Sequence, residues 1–342
     1  MTPRLSIRSV GMATAVGLDA PASAAAIRAR IDGFRETRFL PRGGVWIVGA
    51  EVPLPEPWRG VARLARLLEG PIGECLAGLP GRRLADVPLL LALAEADRPG
   101  RLPDLERELA QELEELADGP LHPESRLLAR GRSGVAEAIR DASRLLAEGR
   151  AEAVLVAGVD GYLQGSTLSA LDEAQRLLGE RNSDGFVPGE AAAALLVTAP
   201  DPGAPLHVLA AGFGREPALI GSGEPLRAEG LAAAFRQALA AAGIAMAEVG
   251  WRLGTMSGEQ FWFKEHDLAV SRLLRGRHEP VELDHPADCI GETGAASLAC
   301  CLALAFEAAR KGWAPGDPVL VAASDEDGRC AALLLAAGAG ER

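Results

Sequence analysis

The sequence predicts an α/β fold built as two similar halves around buried central helices. Three observations carry that expectation. Strand, helix and turn signals alternate from end to end, a pattern of α/β proteins with largely parallel sheets. The same helix–strand order occurs twice, with a seam in the proline-marked stretch 200–205. Residues 295–309 are apolar on nearly every face, which fits a helix buried all round. The halves are residues 1–200 and 201–342, sharing one centre in one compact domain, and the repeat is too long for a solenoid.

In chain order, residues 5–16 read as an opening strand with a glycine-containing turn, and 22–31 as the helix after it. Residues 86–94 form a second apolar strand. Residues 103–116 form an acidic helix with Leu105, Leu109, Leu113 and Leu116 on one face. Val135, Ala138, Ile139, Ala142, Leu145 and Leu146 then recur at helical spacing until Gly149 stops them, and 153–157 begin the next strand. An AGVDG strand end, a helical run, the segment DGFVPGE (184–190) and an alanine-rich strand complete the first half. The second half reads as strand 207–212, helix 228–242, strand 250–255, the all-apolar helix, and closing strands 319–323 and 330–335.

Composition narrows the function classes. The 342 residues supply ample core. No apolar run approaches a membrane span, and the start carries no basic-then-apolar signal pattern, so the expected location is cytoplasmic. A net charge of −12, with only Lys264 and Lys311 as lysines, argues against nucleic acid or an anionic membrane as partner. Cys75, Cys289, Cys300, Cys301 and Cys330 show no paired spacing and read as reduced, buried thiols.

Several candidate sites dissolve on their spacing. His278, His285 and Cys289 fit no common zinc pattern. Asp325, Glu326 and Asp327 lack the loop length of a calcium site, and 210–217 (AAGFGREP) lacks the third glycine and helix start of a dinucleotide fingerprint. No metal or cofactor is expected. The run Phe261-Trp262-Phe263 is unusual in a chain with 4% aromatics and reads as core or dimer contact.

Four segments carry a family resemblance: SIRSVGMATAVG (6–17), AEGRAEAVLVAGVDG (147–161), DGFVPGE, and CIGETGAAS (289–297). Together, in this order, they resemble the β-ketoacyl-ACP synthases, condensing enzymes of the thiolase-like fold, which implies duplicated halves in a layered αβαβα arrangement. The region 50–122 is shorter and more divergent than the family's. Such enzymes need a cysteine at a helix N-terminus and two histidines. Counting back without gaps from Gly149, the nucleophile position falls on Arg132; the histidine positions fall on Thr255 and Glu292, a family lysine position on Ala287, and the terminal glycine loop on 324–330. None of these replacements performs the original chemistry, since a guanidinium stays protonated and a glutamate repels the malonyl carboxylate. Ser133, beside Arg132, reads as the helix N-cap.

The resemblance further implies that Arg132 and Glu292 converge, predicting a polar plug made of their ion pair with Asp327 sharing the guanidinium. The functional expectation is a non-catalytic condensing-enzyme-like protein that binds a protein partner, foremost an accessory or adaptor protein of a bacterial type VI secretion effector cluster. The alternatives are a chain-length-factor-like partner subunit of a polyketide or fatty-acid synthase, and a residual acyl-transferring enzyme. The partner is then an effector or secretion component, an active synthase, or an acyl carrier protein. Pairing along the 125–129 edge implies a homodimer.

Overall fold

Alternation of β-branched and leucine-rich runs with amphipathic segments produces twelve strands and nine α-helices among the described residues, 4–40, 44–180, 182–275 and 279–338, in a computed structural model. The first half contains β1 (Leu5–Ala13), α1 (Ala20–Arg28), the hairpin β2 (Arg35–Glu36) and β3 (Val48–Gly49), and α2 (Gly60–Leu76). It continues through β4 (Leu89–Leu93), α3 (Leu105–Leu116), β5 (Arg126–Ala129), α4 (Gly134–Ala147), β6 (Ala153–Gly161), α5 (Gly165–Glu173) and β7 (Glu190–Thr198). The second half runs β8 (Leu206–Arg215), α6 (Glu229–Ala242), β9 (Trp251–Gly254), α7 (Gln260–Leu273), β10 (Leu283–Asp284), α8 (Ala287–Ile290), α9 (Ser297–Lys311), β11 (Val319–Ser324) and β12 (Arg329–Ala337).

Ten strands form one sheet in the order β10-β9-β11-β12-β8-β1-β7-β6-β4-β5. Its two ends repeat one plan. In each, three outer strands run parallel and the inner ones return antiparallel, and the ends join where Leu5–Ile7 of β1 meets β8. The expectation of largely parallel sheets is therefore corrected: antiparallel neighbours outnumber parallel ones. Helical crossovers keep β4, β5 and β6 parallel, whereas the short turn between β11 and β12 forces reversal.

Helices cover both outer faces, α2 and α3 on one half and α6 and α7 on the other. Between the half-sheets lies the largest core, built on α4 and α9. This is the layered αβαβα arrangement. Every residue of α9 from Ser297 to Ala308 is buried. Its small side chains permit close approach: a Cβ at Gly158 would sit 2.4 Å from the Ala295 carbonyl oxygen. Helices α2 and α7 escaped the sequence reading. In α2, Gly70, Pro71 and Gly73 interrupt the helical signal, yet packing holds the helix, with the Gly11 backbone pressed against Pro71. All five cysteines are free and buried.

Candidate functional site

The two central helices begin alike. Gly131, at φ +64°, opens a 3-10 turn leading into α4, and Gly294, at φ +50°, opens another leading into α9. Both glycines are required, because a side chain there would strike the carboxylate of Asp325 or of Asp160. The turns face each other, and they bring Arg132 and Glu292 together.

Arg132 donates from Nη2 to Glu292 Oε2 at 2.7 Å and from Nε to Oε1 at 3.2 Å. The side chains are 5% and 0% exposed, so the pair sits out of water. Glu292 also accepts from the Gly294 N–H at 2.7 Å and from the Ser257 hydroxyl, which leaves few lone pairs vacant. Arg132 Nη1 reaches the Ser324 carbonyl at 3.4 Å, and its guanidinium lies 4.9 Å from the Trp262 ring centroid. Burial pushes the Glu292 carboxyl up, but the charge and hydrogen bonds of Arg132, with Ser257 and Gly294, outweigh it and hold the group below its ordinary range.

A cation beside a helix N-terminus is unfavourable. The Asp325 carboxyl accepts from the Ser133 N–H at 3.3 Å, and burial pushes it up to about 7. Two expectations are corrected here. Asp327 does not share the Arg132 guanidinium; it binds Arg329 through Nε at 2.7 Å, because the turn aims it outward. Ser133 does not cap α4 with its side chain, since its backbone is already helical rather than extended; its buried Oγ has no partner. Thr255 is buried just past β9 and lines a cavity with Arg132, Met256, Trp262 and Ser324. That cavity has a volume of about 10 Å³, room for a single water. Ala287 opens α8 beside Glu292's strand-like backbone.

The DGFVPGE segment positions the pair through its backbone. Glu292 N–H donates to the Val187 carbonyl at 2.8 Å and Gly189 N–H to the Glu292 carbonyl at 2.9 Å. The closing glutamate of the segment, Glu190, forms a buried ion pair with Arg63. A third buried cation, Arg98, bridges Asp160 at 2.7 Å and Glu95 at 2.8 Å, and lies over the Tyr162 ring. Arg98 draws the Glu95 carboxyl down to about 2 against a burial effect that pushes it up.

Sequence reasoning missed the outer tier. Trp262 Nε1 donates to Glu259 at 3.0 Å; Glu259 receives both Nε and Nη2 of Arg176 at 2.7 Å; Arg176 Nη1 holds Glu326 at 2.7 Å. Glu292, Arg132, Trp262, Glu259, Arg176 and Glu326 thus form one continuous chain of contacts. Nothing in the spacing of the aromatic run 261–263 points to Arg132. Phe263 of the same run packs edge-on against His285, at 5.0 Å between centroids.

The Ser257 hydroxyl bonds Glu292, and the Glu265 carboxyl lines the same cavity as Arg132. Burial pushes every cysteine thiol up, Cys289 to about 11 and Cys300 to about 12. The histidines engage elsewhere: His207 with Ser6, His266 against Phe235, His285 against Phe263, and His122 on the Glu124 N–H. His278 lies outside the described residues. No cluster of three metal-ligating groups exists among the described residues, and no helix among them is long and apolar enough to cross a membrane. The arrangement can hold charge rigidly and exclude a chain-like ligand.

Solved structures similar to this architecture include ketosynthases, which share its layered αβαβα fold. A ketosynthase in complex with its chain length factor from Xenorhabdus doucetiae is similar with TM-score 0.76 at 18% identity, covering 97% of this chain and 98% of that one. The ishigamide ketosynthase/chain length factor gives 0.72 at 19%, covering 97% and 99%. A type II polyketide synthase acyl-carrier protein in complex with its hexaketide-bound ketosynthase gives 0.79 at 14%, covering 98% and 100%. Neither a protein-family model nor a curated protein sequence matches the chain.

Proposed function

We propose that the chain is a non-catalytic ketosynthase-like subunit that works by pairing with a condensing synthase, in the manner of a chain length factor. The observation that carries this reading is the Arg132–Glu292 pair. By the family resemblance it occupies the place of the nucleophile and the second histidine. Arginine cannot accept an acyl group, Glu292 repels a malonyl carboxylate, and Thr255 cannot hold an enolate. The adjoining cavity, at about 10 Å³, has no space for an acyl chain.

Two of the structural neighbours are ketosynthase and chain-length-factor pairs, which supports this reading over the secretion-cluster adaptor; no comparison supports the latter. The chain covers 98% of a neighbour from such a pair. Strand β5 lies at the end of the sheet, and its open edge is a surface that association would cover. The test is tagged purification from the native host with quantitative mass spectrometry. An intact synthase, carrying cysteine and both histidines, is expected in equimolar amount, and the isolated chain should be inert towards acyl-carrier thioesters. An equimolar secretion effector or spike protein, or condensing activity of the chain alone, would overturn the reading.

A further inference from the structure

Two carboxylates flank the glycine that opens the turn into α4. A Cβ added at Gly131 would sit 2.7 Å from Asp325 Oδ1 and 2.9 Å from Glu95 Oε2, so a single carbon would fill the gap between them. Like charges this close, in a site largely out of water, favour keeping one proton. The surroundings decide which group holds it. Burial pushes the Glu95 carboxyl up, but Arg98, donating from Nε at 2.9 Å and Nη2 at 2.8 Å, outweighs it and takes the group down to about 2. Asp325 has no such partner. Burial pushes it up to about 7, with Glu95 adding to the rise, and the Ser133 N–H, Arg329 and Arg132 only moderate it. The remaining charges nearby are Glu326 and Asp327 on the same turn, Glu137 of α4 beside Arg329, and Glu265 of α7, which shares a cavity wall with Ser324.

Arg329 stands beside Asp325 with donors to spare. Its Nε is on Asp327 at 2.7 Å, but Nη2 lies 4.0 Å from Asp325 Oδ2, beyond a hydrogen bond. Its Nη1 lies 3.7 Å from Glu137 and, although buried, has no hydrogen-bond partner. An unpaired N–H out of water is a cost that a new acceptor removes. Asp327, by contrast, is 39% exposed, so water can take the place of Arg329 there.

We propose that Glu95 and Asp325 keep one proton between them, held on Asp325, and that its loss to solvent draws the Arg329 guanidinium from Asp327 onto Asp325. The exchange ties the closing turn, which also carries Glu326 as the partner of Arg176, to the start of α4. It does not rest on the function proposed above.

Carbon-13 carboxyl NMR of the full chain with labelled aspartate tests this, the Asp325 signal being the one lost in Asp325→Asn. It should titrate at about 7 instead of the ordinary value near 4. Glu95→Gln should lower the midpoint by about one pH unit, and Arg329→Gln should raise it by a similar amount. A merely structural change would not give shifts of opposite sign. Crystal structures at about pH 5 and about pH 9 should place Arg329 on Asp327 in the first and on Asp325 in the second. If Glu95→Gln fails to fold by circular dichroism, the Arg329→Gln titration and the two crystal structures decide. An Asp325 midpoint below about 5, a midpoint unmoved by Glu95→Gln or by Arg329→Gln, or Arg329 on the same partner at both pH values would each overturn the proposal.

Discussion

Replacing Arg132 alone strands a carboxylate in the centre of the protein. Glu292 is fully buried, and the loss of its partner removes two charge-assisted hydrogen bonds, at 2.7 and 3.2 Å. Breaking a buried pair from one side costs about 3–5 kcal/mol. The low end applies here, because Ser257 and the Gly294 N–H still bind Glu292. Arg132→Met, which keeps the length of the side chain, should therefore lose about 3 kcal/mol. Glu292→Gln should lose a similar amount, since Arg132 keeps only the Ser324 carbonyl and the Trp262 ring. In the double variant neither charge is stranded, so the loss should be well below that of either single change, a coupling of more than about 3 kcal/mol. Urea unfolding at pH 7.5 measures the cycle. Glu292 is held below its ordinary value of 4.5, so its stabilisation is complete above that pH and is lost as pH falls through the depressed folded value; the measurement sits safely above. Coupling within about 0.5 kcal/mol of zero would refute the reasoning and leave two independently solvated charges.

Arg132→Cys should neither acylate with acyl-carrier or acyl-CoA thioesters nor restore condensation, because Thr255 and Glu292 remain; a covalent adduct in intact-mass spectra would contradict this. Burial, with Glu216 nearby, pushes the Glu265 carboxyl up to about 7, while Ser324, Cys330 and Arg132 pull it down. A raised acid stabilises the fold below its unfolded value near 4.5 and loses that contribution as pH rises through about 7, so Glu265→Gln should be more stable relative to the parent at pH 8 than at pH 5 in paired thermal melts. Trp262→Phe should cost about 1 kcal/mol by losing the Glu259 bond, and Trp262→Ala about 3–5 kcal/mol by also uncovering Arg132; equal losses in denaturant titrations would show that the indole N–H carries nothing.

Local signals determined most of the elements. The spacing of Leu105, Leu109 and Leu113 on α3 and of Val135 through Leu145 on α4 appears in the structure as their buried faces, because helical period alone decides which side chains share a face. The all-apolar run of α9 likewise announced its burial on every side. Motif order located Arg132 and Glu292, which stand 160 residues apart in sequence and meet at 2.7 Å. What no local pattern encodes is which long-range neighbour wins a charge. Asp327 lost Arg132 to the geometry of one tight turn, and the Ser133 N–H, not its hydroxyl, found Asp325. Helix α2 formed despite Pro71 because packing across the sheet outweighs propensity. Arg176, Glu259, Glu326 and Trp262 became one network only because three loops and α7 meet in the fold. Periodicity is a property of neighbouring residues and survives in the sequence; the partner of a buried charge is fixed by the packing of segments far apart in the chain, and only the tertiary structure decides it.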